Sequence, residues 1–300
     1  MGYLLRHKKI RKFKGTILSS DKQKTIKKPI SYRGIALHTG HRARLIFRPA
    51  EENSGIVFMR SDLPGKPTVR AIGTNVTEVM RGTTIKDGEA VVHTVEHVLA
   101  ALMSQGIDNI VVDMDRPEPP IADGSSLPFI KLIQEAGIEE QSAERDYFVI
   151  KEPTFIEMEH AIINVVPDDK FRISCTVKYD QSQLDVQYLT MEVTPESFIK
   201  ELSESRTFCM YFELEHLMKA GLIRGGSLDN ATVIHGSTIL SKDGLRYPDE
   251  FVRHKMLDIV GDFALLGKPM KGHIIAVKPG HPSNVTMVQK LLELQKKESA

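Results

Sequence analysis

Twice in this 300-residue chain, a helical stretch stopped by glycine leads into a short apolar strand, a loop and a second helix. In the first half the helical pattern covers 92–104 and Gly106 ends it; 109–114 then reads as a buried strand, RPEPPIADGSS as a loop, and 127–136 as a helix. In the second half 250–266 is helical, Gly267 stops it, 273–277 is a strand, 279–284 a loop and 285–294 a closing helix. Short β-rich runs come before each of these units: ARLIF (43–47) and GIVFMR (55–60) in one half, IINVV (162–166) and FRISCTVKY (171–179) in the other. Strands followed by helices, repeated once, imply an internal duplication and an α+β fold. The expected organisation is two similar domains, 25–145 and 146–300, each a sheet with helices packed on one face. A basic N-terminal extension, 1–24, precedes them.

With 41% apolar and 26% charged residues, the chain can bury a substantial core. A net charge of +1 provides no field for nucleic acid. Two cysteines, Cys175 and Cys209, are too few for a disulfide-stapled secreted domain, so the expected location is the cytoplasm. No apolar run reaches the roughly 20 residues of a membrane span. The extension, rich in lysine and arginine between Arg6 and Lys14, is the one segment suited to peripheral contact with anionic lipid. A monomer acting on a small molecule is the expected state.

On the first helical wheel, Val95, Leu99 and Leu102 form an apolar stripe, while His93 and His97 lie four residues apart on the opposite face, with Glu96 beside His97. The second helix repeats the arrangement, with His254, Asp258 and Asp262 at spacings of four opposite Met256, Val260 and Phe263. Imidazole and carboxylate are ordinary zinc ligands, and three of them leave a position open for chemistry. His97, His254 and Asp258 would supply that set, and Glu96 would stand beside it as a base. The string HTVEH also fits the inverted zinc-protease motif, in which His93 and His97 ligate and Glu96 is the base. His281, in the loop KPGHPSN, is an isolated histidine on spacing alone.

GIALHTG (34–40), TVEH (94–97), PIADGSS (120–126), SRTF (205–208), GGS (225–227), DEFVRHKMLDIVGD (249–262) and the pair Gly280 and His281 together resemble the bacterial UDP-3-O-acyl-N-acetylglucosamine deacetylase family. The likeness runs in order from about Lys27 to Leu294. It implies a fold of two α+β domains facing each other across the site, and a zinc enzyme, with iron(II) an alternative metal, performing the committed step of lipid A synthesis. By the same resemblance His97, His254 and Asp258 hold the metal, Glu96 is the general base and His281 the general acid. Lys255, Asp262 and Thr207 complete the catalytic set, and Phe208, Lys255, Gly226 and Ser227 contact substrate. The channel for the acyl chain would include Phe208, Leu222 and Ile223, with Lys170 near the sugar or phosphate. His93 departs from the family pattern, which has a small polar residue there. Against the deacetylase stand an inverted-motif zinc peptidase and a catalytically inactive binding protein of the same fold.

Overall fold

The computed structural model describes residues 21–179 and 184–299. The first sheet contains β1 (Ile30–Ile35), β2 (Arg42–Pro49), β3 (Ile56–Arg60), β4 (Thr68–Arg70) and β5 (Ile110–Met114). The second contains β6 (Thr154–Glu157), β7 (Ile162–Val166), β8 (Phe171–Val177), β9 (Gln187–Glu192) and β10 (Met270–Val277). Their spatial orders are β1-β2-β5-β3-β4 and β6-β7-β10-β8-β9, so in each sheet the last strand in sequence occupies the centre. Each central strand runs antiparallel to one neighbour and parallel to the other. The duplication inferred from the helix–strand–helix pattern is therefore also a duplication of topology.

Helix α1 (Glu96–Ser104) comes just before β5 and α2 (Leu127–Ala136) after it; α3 (Glu250–Phe263) and α4 (His281–Ser299) stand in the same relation to β10. In β2, Ala43, Leu45 and Phe47 are buried while Arg42, Arg44 and Arg48 point away, the alternation of a strand with one covered face. Helix α1 is buried on every side except at Met103, because it packs along α3 and against α2. Gly261 permits that approach: a Cβ there would lie 2.1 Å from the Glu96 carbonyl oxygen. One apolar core consequently runs through both halves.

Three expected boundaries shift. The first helix starts at Glu96 rather than 92, since Ala90–Val92 is a strand and Thr94 has φ 54°, a left-handed conformation that no α-helix passes through. His93 is thus in the connection before the helix. The final helix starts at His281 rather than 285, with Pro282 in its first turn, where a missing amide costs no helical bond. At the N-terminus, Lys22–Ile26 is a strand paired with Ile138–Glu144, so the end of the 1–24 segment belongs to the fold; residues 1–20 lie outside the described residues.

Each half also carries a three-stranded insertion ahead of its buried helix. One is made of Val76–Glu78, Thr84–Asp87 and Ala90–Val92, the other of Phe208–Met210, Thr232–His235 and Thr238–Leu240. These insertions bring Thr83 and the 205–208 stretch to the ends of α1 and α3.

Candidate active site

The helix pair brings the two halves' polar residues together. Glu96 and His97 open α1, His254, Asp258 and Asp262 follow one another along one face of α3, and His281 opens α4. The ligating atoms of His97, His254 and Asp258 all lie within 4.8 Å of one another. His254 Nε2 is 3.4 Å and His97 Nε2 3.9 Å from Asp258 Oδ1, and the two imidazoles meet edge to face at 5.2 Å. Burial, reinforced by His254, pushes His97 down to about 3, and burial likewise lowers His254. Both rings are neutral near pH 7 and offer lone pairs. Burial alone would raise Asp258, but the Lys255 ammonium, 2.9 Å from Oδ2, and the charged His281 hold it well below the ordinary carboxylate range.

Asp258 Oδ1 and His97 Nδ1 are buried without a hydrogen-bond partner. An orphaned carboxylate oxygen facing two imidazole nitrogens is costly unless a cation joins them. Two ligands about 2.0–2.1 Å from a tetrahedral centre stand roughly 3.3 Å apart, so the 3.4 Å pair already has that spacing and the 3.9 Å pair is about half an ångström wider. His254 Nδ1 lies 3.2 Å from the Ser205 carbonyl, which selects the tautomer with Nε2 bare. The donor set fits a zinc ion.

Glu96 and His281 flank this group. Glu96 Oε2 accepts the Thr83 amide at 3.0 Å, and Oε1 lies 3.9 Å from His281 Nε2. Burial pushes Glu96 up to about 7 against the opposing pull of His281. Burial also disfavours a charged His281, but Asp262, Glu96 and Asp258 outweigh it and hold the ring at about 10. Asp262 accepts a hydrogen bond from His281 Nδ1 at 2.9 Å, and also accepts from Thr83 Oγ1 at 2.7 Å and Asn284 Nδ2 at 2.8 Å. Thr83 and Asn284 escaped the sequence reading for different reasons. Thr83 acts through an amide and a hydroxyl that leave no pattern in sequence, whereas Asn284 stands three residues after His281, a spacing that places both on one helix face.

Lys255 Nζ lies 5.4 Å from the Phe208 ring centre, and that ring also packs against His254 and Phe251. Thr207 donates its amide to the Gly124 carbonyl and accepts at its own carbonyl from Thr232, which fixes the backbone beside Phe208. Gly226 and Ser227 lie in an exposed turn that rests on the GIALHTG loop through Gly225, and no described contact joins them to the cluster. Lys170 pairs with Glu192 at 2.7 Å, likewise apart from it. His93 is not a partner of His97 either. Its Nδ1 lies 3.0 Å from Thr84 Oγ1, and it lines a cavity of about 290 Å³ with His38, Glu118, Leu222 and Gly82, the last beside Glu96 Oε1. The inverted protease motif needs both histidines on one helix, and the left-handed Thr94 between them removes that geometry.

The family model of UDP-3-O-acyl N-acetylglycosamine deacetylase (LpxC) matches residues 23–293, a span that includes every residue of the cluster. The chain belongs to this deacetylase family. The UDP-3-O-acyl-N-acetylglucosamine deacetylase of Chlamydia felis (strain Fe/C-56) is 44% identical over 272 residues, covering 90% of this chain and 97% of its own length. That of Myxococcus xanthus (strain DK1622) is 42% identical over 274 residues, covering 91% and 87% respectively. No helix among the described residues of this deacetylase-family chain is long and apolar enough to cross a membrane.

Proposed function

We propose that the chain is a zinc-dependent cytoplasmic enzyme that hydrolyses the acetamide of UDP-3-O-acyl-N-acetylglucosamine, releasing acetate and the free 2-amino sugar as the committed step of lipid A synthesis. The observation that carries this reading is the convergence of His97, His254 and Asp258 between a carboxyl held near neutrality and a histidine held charged. An inactive binding protein would have no need of those two opposed titrations. Zinc bound by the three residues, or iron(II) in the same donor set, would supply Lewis-acid polarisation of the acetamide carbonyl.

The chain's own residues then divide the proton transfers. Glu96 Oε1, the oxygen not engaged by Thr83, takes a proton from the attacking water as the new C–O bond forms. His281 Nε2 gives its proton to the nitrogen as the C–N bond breaks, while Asp262 holds the ring through Nδ1. Lys255 and the Thr207 hydroxyl stabilise the oxyanion, an interaction that strengthens as charge develops. Phe208 forms an apolar wall beside them, and Gly226 and Ser227 contact the substrate farther out.

Acetate release from 3-O-acylated and from non-acylated UDP-N-acetylglucosamine tests the substrate. The expected result is a kcat/KM at least about 100-fold higher for the acylated compound, the scale of a few buried methylenes at about 0.8 kcal/mol each. Equal values would remove the acyl chain from recognition.

The pH profile of kcat/KM should be bell-shaped. Glu96 must be ionised to accept a proton; burial holds it at about 7 and a bound cation pulls it lower, so activity is lost as pH falls below that range. His281 must be protonated to donate; Asp262, Glu96 and Asp258 hold it at about 10 and a bound cation pulls it lower, so activity is lost as pH rises toward that range. Asp262→Asn removes the anion that holds the imidazolium, so the alkaline limb should move down by about 1–3 pH units. The acid limb should also move down, because Asp262 helps to raise Glu96. An alkaline limb unmoved in that variant would separate His281 from the proton donor.

A further inference from the structure

The SRTF stretch contains a charged residue that the reaction leaves unused, Arg206, and it is buried. Its partner is Glu250 in the first turn of α3, fully buried and one turn before His254. Glu250 Oε1 accepts from the Arg206 amide at 2.9 Å and from Nε at 2.8 Å, and Oε2 accepts from Arg206 Nη2 at 3.0 Å and the Arg246 amide at 2.8 Å. Arg206 Nη2 also donates to the Gly244 carbonyl at 2.6 Å. Four donors thus surround one carboxylate, enough to keep it ionised despite its burial.

What distinguishes this ion pair from ordinary packing is where the Arg206 amide lies. The peptide group between Ser205 and Arg206 has two polar atoms: its N–H goes to Glu250 and its C=O faces His254 Nδ1. A peptide group is planar, so fixing the direction of its N–H fixes the direction of its C=O. Residues 250 and 254 are one turn apart on the same helix face, so α3 grips one peptide plane at both edges. We infer that Glu250, with Arg206, is a positioning pair: it orients the Ser205 carbonyl that sets the tautomer and ring angle of His254, and through it the affinity of the metal site. This inference rests on the proposed zinc site.

The pair would also hold Phe208 against His254, because two residues separate the gripped peptide from that ring. Outer partners of a ligating histidine usually alter metal affinity by roughly 10- to 100-fold. Replacing Glu250 by glutamine keeps the shape but leaves one acceptor for four donors and a buried guanidinium without its counter-charge.

The test is zinc affinity of the folded, full-length protein, measured by competition with a chromogenic chelator, together with thermal midpoints of the metal-free proteins. Glu250→Gln and the milder Glu250→Asp and Arg206→Lys are compared with Leu132→Ala, a core truncation on α2 that lowers stability without touching α3. We expect the Glu250 and Arg206 variants to lose about 10- to 100-fold in zinc affinity and Leu132→Ala to lose none, even where their midpoints fall equally. Should Glu250→Gln fail to fold, the two milder variants carry the comparison. Zinc affinity within about threefold of wild type in those that fold, or a loss shared by Leu132→Ala, overturns the positioning role. Wild-type protein that takes up no zinc would instead overturn the metal site itself.

Discussion

Asp258→Ala should weaken zinc binding by more than about 100-fold and abolish acetate release, whereas His93→Ala should retain about one zinc per chain and most of the activity. Asp258 provides the oxygen toward which both imidazoles point, and its second oxygen holds the Lys255 ammonium. Removing it leaves two neutral nitrogens and a partly buried ammonium without its carboxylate, a poor site for a dication. His93 stands outside the helix and spends Nδ1 on Thr84, so its loss removes no donor from the cluster. Metal analysis after dialysis of the two purified variants measures both effects. A His93→Ala protein without zinc beside an Asp258→Ala protein with zinc would invert the ligand assignment.

Glu96→Ala and His281→Ala should each lower kcat by roughly 10²- to 10⁴-fold, the span of positioned acid–base groups, with zinc still bound. Neither residue belongs to the ligand group, and each faces the other across it at 3.9 Å. The two losses should differ in their pH signature. Without Glu96 the acid limb should disappear from what activity remains, and without His281 the alkaline limb should. Steady-state kinetics across pH on zinc-loaded variants gives both readings, and near-normal turnover in either one would remove that residue from proton transfer.

The i, i+4 spacing of His254 and Asp258 and the apolar stripe opposite them put both on one helix face, because helix periodicity is a local property. His93 falls outside that reasoning, since the turn just before the helix depends on Thr94 adopting a left-handed conformation with its hydroxyl on buried Glu118, a contact 24 residues away. His281 looked like a loop residue for a related reason: KPGHPSN reads as a turn, and only the packing of α4 and the bonds to Asp262 make it the start of a helix. The duplication was visible as an order of elements. Its more telling form, a late strand inserted at the centre of each sheet, is set by long-range pairing that no local pattern encodes. Thr83 and the Ser205 carbonyl were invisible because they work through backbone atoms or a single hydroxyl.

The most direct measurement of the central claim is a titration of metal-stripped protein with zinc while acetate release from UDP-3-O-acyl-N-acetylglucosamine is followed. Helices from both halves supply the only metal-capable group found among the described residues. Activity should therefore rise from near zero and break at one zinc per chain, and Asp258→Ala protein should show no such rise at the same concentrations. Full activity in the stripped protein, or an identical titration in Asp258→Ala, would contradict the account.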